Sequence, residues 1–282
     1  MVIISKALID QFPKVADEFK YYLKRNNISL KVIDSQNIWC RDYMPVKTAD
    51  GYTKFVYEKD DRFPQLDVKR EEWAWVNPRM SDIKLDGGNV VQNDTHVFMT
   101  EMVFFRNRKI PRPSLVQFLK DIFQKEIIFL PVEPLDELGH ADGIIKIFDN
   151  DKVLVNDYSS ITSQTYYEYS CQLERIITQA GYKIYKMPWA YPKMTDFSEV
   201  EFRKKYPYAD EFNPGFGYFI NFYKAGFLIF LPVFHIDDDH AAVRMIEKCY
   251  LDHEIITVDC RDLSMLGGLT NCCTWEFDDV AS

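Results

Sequence analysis

The sequence predicts a mixed α/β protein assembled from repeated units, and two patterns carry that prediction. Four times along the chain, a stretch with helical apolar spacing feeds a short apolar strand that stops at Pro or Asp. Between these units lie pairs of apolar strands joined by short polar turns. Each unit thus reads as hairpin, helix, strand.

The helical stretches come first in the argument. Val15, Phe19, Tyr22 and Leu23 line one helix face ahead of the strand at 30–34, and Leu115, Phe118, Leu119 and Ile122 do so ahead of 126–131. Leu173, Ile176, Ile177 and Ala180 precede 182–188, and Val243, Ile246 and Tyr250 precede 253–259. Hairpins are expected around Asn93-Asp94, around 149–151, and around Lys224-Ala225-Gly226, where Asn, Asp and Gly supply the turn conformations. Third strands recur roughly every 50–70 residues, so the chain holds about five modules. Repeated α/β modules of this kind can close into a ring around a central cavity. No Gly/Ser/Pro-rich linker separates them, so residues 1–282 are expected to form one domain. The stretch Asp60 to Arg79, rich in Arg, Pro and Trp, is expected to be a long surface loop over the cavity.

Composition excludes several classes of function. The net charge of −9 repels phosphate backbones, so nucleic acid is not an expected partner, whereas a cationic small molecule or an arginine-bearing peptide is. The most apolar stretch, Tyr218 to Phe234, is broken by Asn221, Lys224 and Pro232, so no membrane span is expected. Six irregularly spaced cysteines in a chain this long read as reduced thiols, and no secretory signal is visible, which together point to the cytoplasm. There is no CxxC pair, and neither a metal nor a cofactor is expected. Cys171 and Cys249, on helices, and Cys260, at a strand end, are assigned to the core. The sequence assigns no oligomeric state.

Three segments place unusual polar residues at module ends. They are Trp39-Cys40-Arg41-Asp42-Tyr43-Met44-Pro45, Gly139-His140-Ala141-Asp142-Gly143, and Gly267-Gly268-Leu269-Thr270-Asn271-Cys272-Cys273-Thr274. With Asp86-Gly87-Gly88-Asn89, they give WxRDxxP, DGGN, GHxDG and GGxxxCxT in that order. This chain resembles the agmatine deiminase and bacterial Porphyromonas-type peptidylarginine deiminase family, within the guanidino-group-modifying superfamily. The resemblance runs from about Asp34 to Trp275. It implies an α/β propeller of five ββαβ-type modules, pseudo-symmetric around a central active-site cavity.

The chemistry follows from the residue types. A guanidinium is delocalised, always protonated and poorly electrophilic at carbon, so it must be held rigidly, best by paired carboxylates. Asp42 and Asp142 suit that role. A thiolate is a fitting nucleophile, and one histidine, His140, can protonate departing ammonia and then deprotonate water. His140 and Asp142 stand two apart, so in extended chain both leave on one face. Alone, an HxD is more often a surface turn, and it is also compatible with a metal site. Arg41-Asp42 alone reads slightly better as a solvated ion pair at a turn, with Trp39 and Pro45 as packing and turn residues. The resemblance puts Asp86 beside the site, where the agmatine branch usually carries Glu, and adds Trp39, Arg41 and, at lower weight, Asn221 as substrate contacts. Its register places the nucleophile at Cys272, with Asn271 where agmatine deiminases carry His. In extended chain the adjacent Cys273 would then face the apolar side.

The resulting expectation is a cofactor-free cysteine deiminase that converts a guanidinium of agmatine or a peptidyl-arginine-like substrate to a ureido product and ammonia. The covalent intermediate would be a thiouronium. An amidinotransferase on the same scaffold and a non-catalytic arginine- or peptide-binding protein are the alternatives. Specificity is expected to lie in the segments 60–79 and 188–217.

Overall fold

The computed structural model describes residues 1–58, 68–134, 136–190 and 215–278. The described residues fall into two compact units, one containing those of Met1–Cys40 and Met187–Ala281, the other those of Arg41–Glu58 and Arg70–Lys186. Among them are five three-stranded sheets, as the repeat predicts.

Three sheets belong to the second unit. Val46–Thr48, Gly51–Val56 and Arg79–Lys84 form one, and Val91–Gln92, His96–Thr100 and Glu126–Leu130 another. Ile145–Asp149, Lys152–Asn156 and Lys183–Met187 form the third. In the first two, the central strand pairs antiparallel with the strand before it and parallel with the strand after it. The parallel step requires a crossover, and the helices Arg112–Phe123 and Gln164–Gln179 fill it in two of the modules. The helix Arg112–Phe123 starts with proline in its first turn and ends on Gln124 in the left-handed conformation, φ 50°. Its Leu115, Leu119 and Phe123 join Val46, Phe55, Ile83, Val97 and Met99 in one apolar core. Phe118, expected on that stripe, is 48% exposed instead, because the buried row follows i, i+4, i+8.

The first unit carries the same module twice. Tyr223–Ala225, Leu228–Val233 and Glu254–Asp259 form one sheet, with the helix Asp238–Cys249 as its crossover. The other sheet draws on both ends of the chain: Trp275–Glu276 pairs antiparallel with Val2–Ser5, which pairs parallel with Leu30–Ile33 across the helix Pro13–Arg25. The last strand of the chain thus serves as the first strand of the module that opens it. Phe19 packs on Phe230 with centroids 4.5 Å apart and on Tyr223 at 6.1 Å, which ties this crossover helix to the neighbouring sheet.

Several expectations change. The third hairpin turns at Gly226-Phe227, and residues 218–222 form irregular turns, so Asn221 precedes the strand that was expected to contain it. Cys171 is exposed and Cys249 half-buried, while Cys260 is buried as expected; all six cysteines are free thiols. Within the expected loop Asp60–Arg79, residues 60–67 lie outside the described residues, but Arg70–Trp73 is a helical turn followed by a 3₁₀ turn at Ala74–Val76. Most of the segment 188–217 likewise lies outside the described residues. Among the described residues, no helix is long and apolar enough to cross a membrane.

Candidate active site

Every residue singled out for chemistry sits in a connection that leaves the third strand of one module and enters the next. Asp42 lies in the helical turn Cys40–Tyr43, Asp86 just before the 3₁₀ turn Gly87–Asn89, and Asp142 within the 3₁₀ turn Ala141–Gly143, which His140 precedes. Asp86 and His140 are equivalent in conformation, extended at φ −83°, ψ 144° and φ −85°, ψ 137°, each leading into such a turn. The segment around His140 and Asp142 is therefore curled, where an extended chain was expected. Sequence position two apart does not by itself set the direction of the two side chains there.

In the second unit these residues form a buried ionic cluster. Asp42, Asp86, His140 and Asp142 are all below one-tenth exposed. The imidazole stands between two carboxylates, with Nε2 3.0 Å from Asp86 Oδ2 and Nδ1 3.5 Å from Asp42 Oδ1. Asp42 Oδ1 also accepts the Gly88 N–H at 3.1 Å. Arg106 donates from Nη1 to the same Asp86 oxygen that faces His140. Backbone contacts hold the loop: Asp136 accepts the Leu138 and His140 N–H groups at 2.9 and 3.1 Å, and the Thr100 hydroxyl donates to the Gly139 carbonyl.

Two glycines permit this approach. A Cβ on Gly87 would lie 1.9 Å from the Arg41 carbonyl oxygen, and one on Gly88 would lie 2.5 Å from Asp42 Oδ1 and 2.6 Å from His140 Nδ1. Arg41 thus meets the DGGN turn through its backbone.

The electrostatics follow from this crowding. Burial opposes charge on His140, but Asp42, Asp86 and Asp142 together outweigh it and raise its pKa to about 10. Burial lifts Asp42 to about 7, with the His140 charge pulling the other way. Burial also works against Asp86, yet hydrogen bonds and charge from His140 and Arg106 prevail and hold it below its usual range. At neutral pH the imidazole is therefore a cation.

The first unit carries the thiol. Cys272 is 7% exposed, and its Sγ donates to Asn221 Oδ1 at 3.3 Å. The neighbouring Thr270 hydroxyl donates to the Asn221 carbonyl at 3.1 Å, and the Asn271 N–H donates to the same carbonyl at 3.1 Å. Cys273 is fully buried, with Sγ on the Thr270 carbonyl at 3.5 Å. The two sulfurs do point apart, but by a different route from the expected extended chain. The Cys273 N–H donates to the Leu269 carbonyl four residues back, so the pair lies in a helical turn, where adjacent side chains diverge by about 100°. Trp39 packs on this segment: a Cβ on Gly268 would sit 2.4 Å from its ring.

Over residues 4–277 the chain matches the Porphyromonas-type peptidyl-arginine deiminase family. It belongs to that family. A Mycoplasma capricolum protein that carries agmatine deiminase as a provisional name is 24% identical over 295 aligned positions, covering 88% of this chain and 77% of the relative. The solved agmatine deiminase of Enterococcus faecalis superposes with a TM-score of 0.71 at 17% identity, covering 97% of this chain and 92% of that one. The C. jejuni agmatine deiminase gives 0.71 at 16% identity, with 97% and 91% covered. The family's fold is therefore this chain's fold.

Two residues of the cluster escaped the motifs. Arg106 lies 20 residues beyond Asp86 on the helix Met102–Arg106, at a spacing that carries no signature. Lys54 is 7% exposed, donates to the Phe55 carbonyl at 2.9 Å and stands 5.6 Å from the Trp73 ring centroid. Burial lowers its pKa to about 8 while Asp86 pulls it back up. Its strand position resembles any other exposed-face lysine in the sequence.

Proposed function

We propose that this protein is a cysteine-dependent deiminase acting on the guanidinium of agmatine or a peptidyl-arginine-like substrate, with residues 1–282 as one catalytic domain in the cytoplasm. The observation that carries the reading is the buried cluster in which the carboxylates of Asp42, Asp86 and Asp142 gather around His140. A guanidinium suits such a cluster, because its planar N–H edges pair with carboxylates.

In this reading Asp42 and Asp142 hold the cation, and Trp39 and Arg41 line its approach. The Cys272 sulfur attacks the guanidinium carbon as a thiolate, forming a C–S bond. His140, charged at the outset, gives its proton to the departing nitrogen, and ammonia leaves behind an amidino-thioether, a thiouronium. The now neutral imidazole takes a proton from water, and the oxygen adds to the same carbon. The C–S bond breaks, the proton left on that oxygen passes to solvent as the C=O forms, and the ureido product leaves with the thiolate and the imidazolium restored. Water is consumed, and ammonia and one proton, together an ammonium ion, are released, so atoms and charge balance with no oxidant, reductant or cofactor. Asn221, beside the sulfur, orients the thiol before it ionises.

The test is a panel of agmatine, free arginine and arginyl peptides, assayed for both ammonia and ureido product. Turnover of at least one, abolished in Asp42→Asn and Asp142→Asn, is expected. Each substitution removes a charge-assisted pair from a dry site, on the order of 2–5 kcal/mol. Unchanged kinetics in both variants would remove these carboxylates from the reaction.

A further inference from the structure

Arg106 belongs to no motif, yet it touches both segments that set the position of His140. Its Nη1 donates to Asp86 Oδ2, the oxygen that His140 Nε2 meets at 3.0 Å. Its Nη2 reaches the Leu138 carbonyl at 3.4 Å, two residues ahead of the imidazole. Asp86 Oδ1, by contrast, is buried with no hydrogen-bond partner among the described residues, so both cations share one oxygen. The Arg106 side chain is 18% exposed and that of Asp86 4%, so this is a largely dry contact in which one charge is felt strongly by the next.

We propose that Arg106 is a positioning residue for the proton carrier: it pins Asp86 against the imidazole and offsets one of the carboxylates that surround it. The geometry lies within one unit of the chain, while its catalytic consequence rests on the deiminase reading above. His140 faces Asp42 from the turn Cys40–Tyr43, Asp86 from the Gly87–Asn89 connection, and Asp142 from its own turn. Asp136 accepts its backbone N–H, and the other nearby cation, Lys54, acts on Asp86 from the strand Gly51–Val56. Removing Arg106 leaves the three carboxylates to bind the imidazole proton more tightly. Asp86 stays ionised, because the hydrogen bond and charge of His140 still hold it down against burial, while Asp42, already raised, takes up a proton first. The step that deprotonates water needs a neutral imidazole, so it slows at any given pH.

The experiment follows the imidazole signals of the five histidines by NMR across pH in the full chain, with His140→Gln identifying the signal of interest. In Arg106→Gln the His140 midpoint is expected to rise by at least about half a unit. Arg106→Met serves as a second neutral variant should the first fail to fold, and Arg106→Lys, which keeps the charge, is expected to return the midpoint close to wild type. In kinetics with whichever guanidine the wild type turns over, kcat should fall and its acidic limb should move upward with the midpoint, while KM changes less. An unchanged or lowered His140 midpoint in the neutral variants overturns the proposal, even in an active enzyme. Absence of turnover in the wild type would sink the deiminase reading instead, and the NMR titration would still decide the role of Arg106.

Discussion

A single methyl group added at Gly88 tests whether the ionic cluster must be as close as it is. In Gly88→Ala the new Cβ would start 2.5 Å from Asp42 Oδ1 and 2.6 Å from His140 Nδ1, whereas ordinary contacts to carbon begin at about 3.5 Å. Both side chains must therefore withdraw by roughly 1 Å. Misplacement on that scale costs about 10²-fold in rate, or about 2.7 kcal/mol in the barrier. Overpacking of this size destabilises a fold by about 1–3 kcal/mol, which lowers Tm by roughly 2–12 °C in a chain of this class. The variant should thus fold and lose most activity. Gly87→Ala is the informative partner, because its Cβ would meet the Arg41 carbonyl at 1.9 Å. Backbone cannot rotate out of the way, so this variant should lose much more stability. Ammonia release and thermal unfolding, measured on both, separate the two effects. Wild-type kcat/KM in folded Gly88→Ala would refute the claim that His140 and Asp42 act from these positions.

Three further outcomes concern the thiol, its neighbour and the imidazole. A haloacetamidine, which mimics the guanidinium and alkylates thiols, should label Cys272 and spare Cys273, so that Cys272→Ala is inactive and unlabelled while Cys273→Ala keeps most activity. Asn221→Asp should slow that labelling about tenfold or more at neutral pH, because a carboxylate beside the sulfur disfavours the thiolate; label on Cys273, or an unchanged rate, would contradict the assignment. The His140 pKa is raised from 6.5 to about 10, so its contribution to stability is complete below pH 6.5 and is lost as pH climbs through 10. Denaturant unfolding should show that decline, on the order of 5 kcal/mol at most, and His140→Gln should lack it; an equal slope in both would show that the imidazole is not held as a cation.

The sequence by itself determined the modules, because a buried strand and an amphipathic helix write their burial directly into apolar spacing. Strands at 30–33, 126–130, 183–187 and 254–259 and the helices ahead of them all lie where that spacing predicts. It also determined the chemical groups, since WxRD, DGGN, GHxDG and GGxxxCxT each name a residue type that guanidinium chemistry requires. What it left open was local conformation between the modules. His140-Ala141-Asp142 and Thr270 to Thr274 were expected to be extended, yet both curl, because hydrogen bonds to the Ala141 and Leu269 carbonyls close tight turns that no periodicity announces. Asn221 was expected in a strand for the same reason: apolar neighbours signal burial, and buried turns are as apolar as buried strands. Only the tertiary structure supplied Arg106 and Lys54. A single basic residue leaves no pattern along the chain, and its effect on Asp86 depends on distances that arise once separate modules have packed. The same is true of His140, whose identity was legible but whose charge was not, because that charge is set by three carboxylates drawn from three different connections.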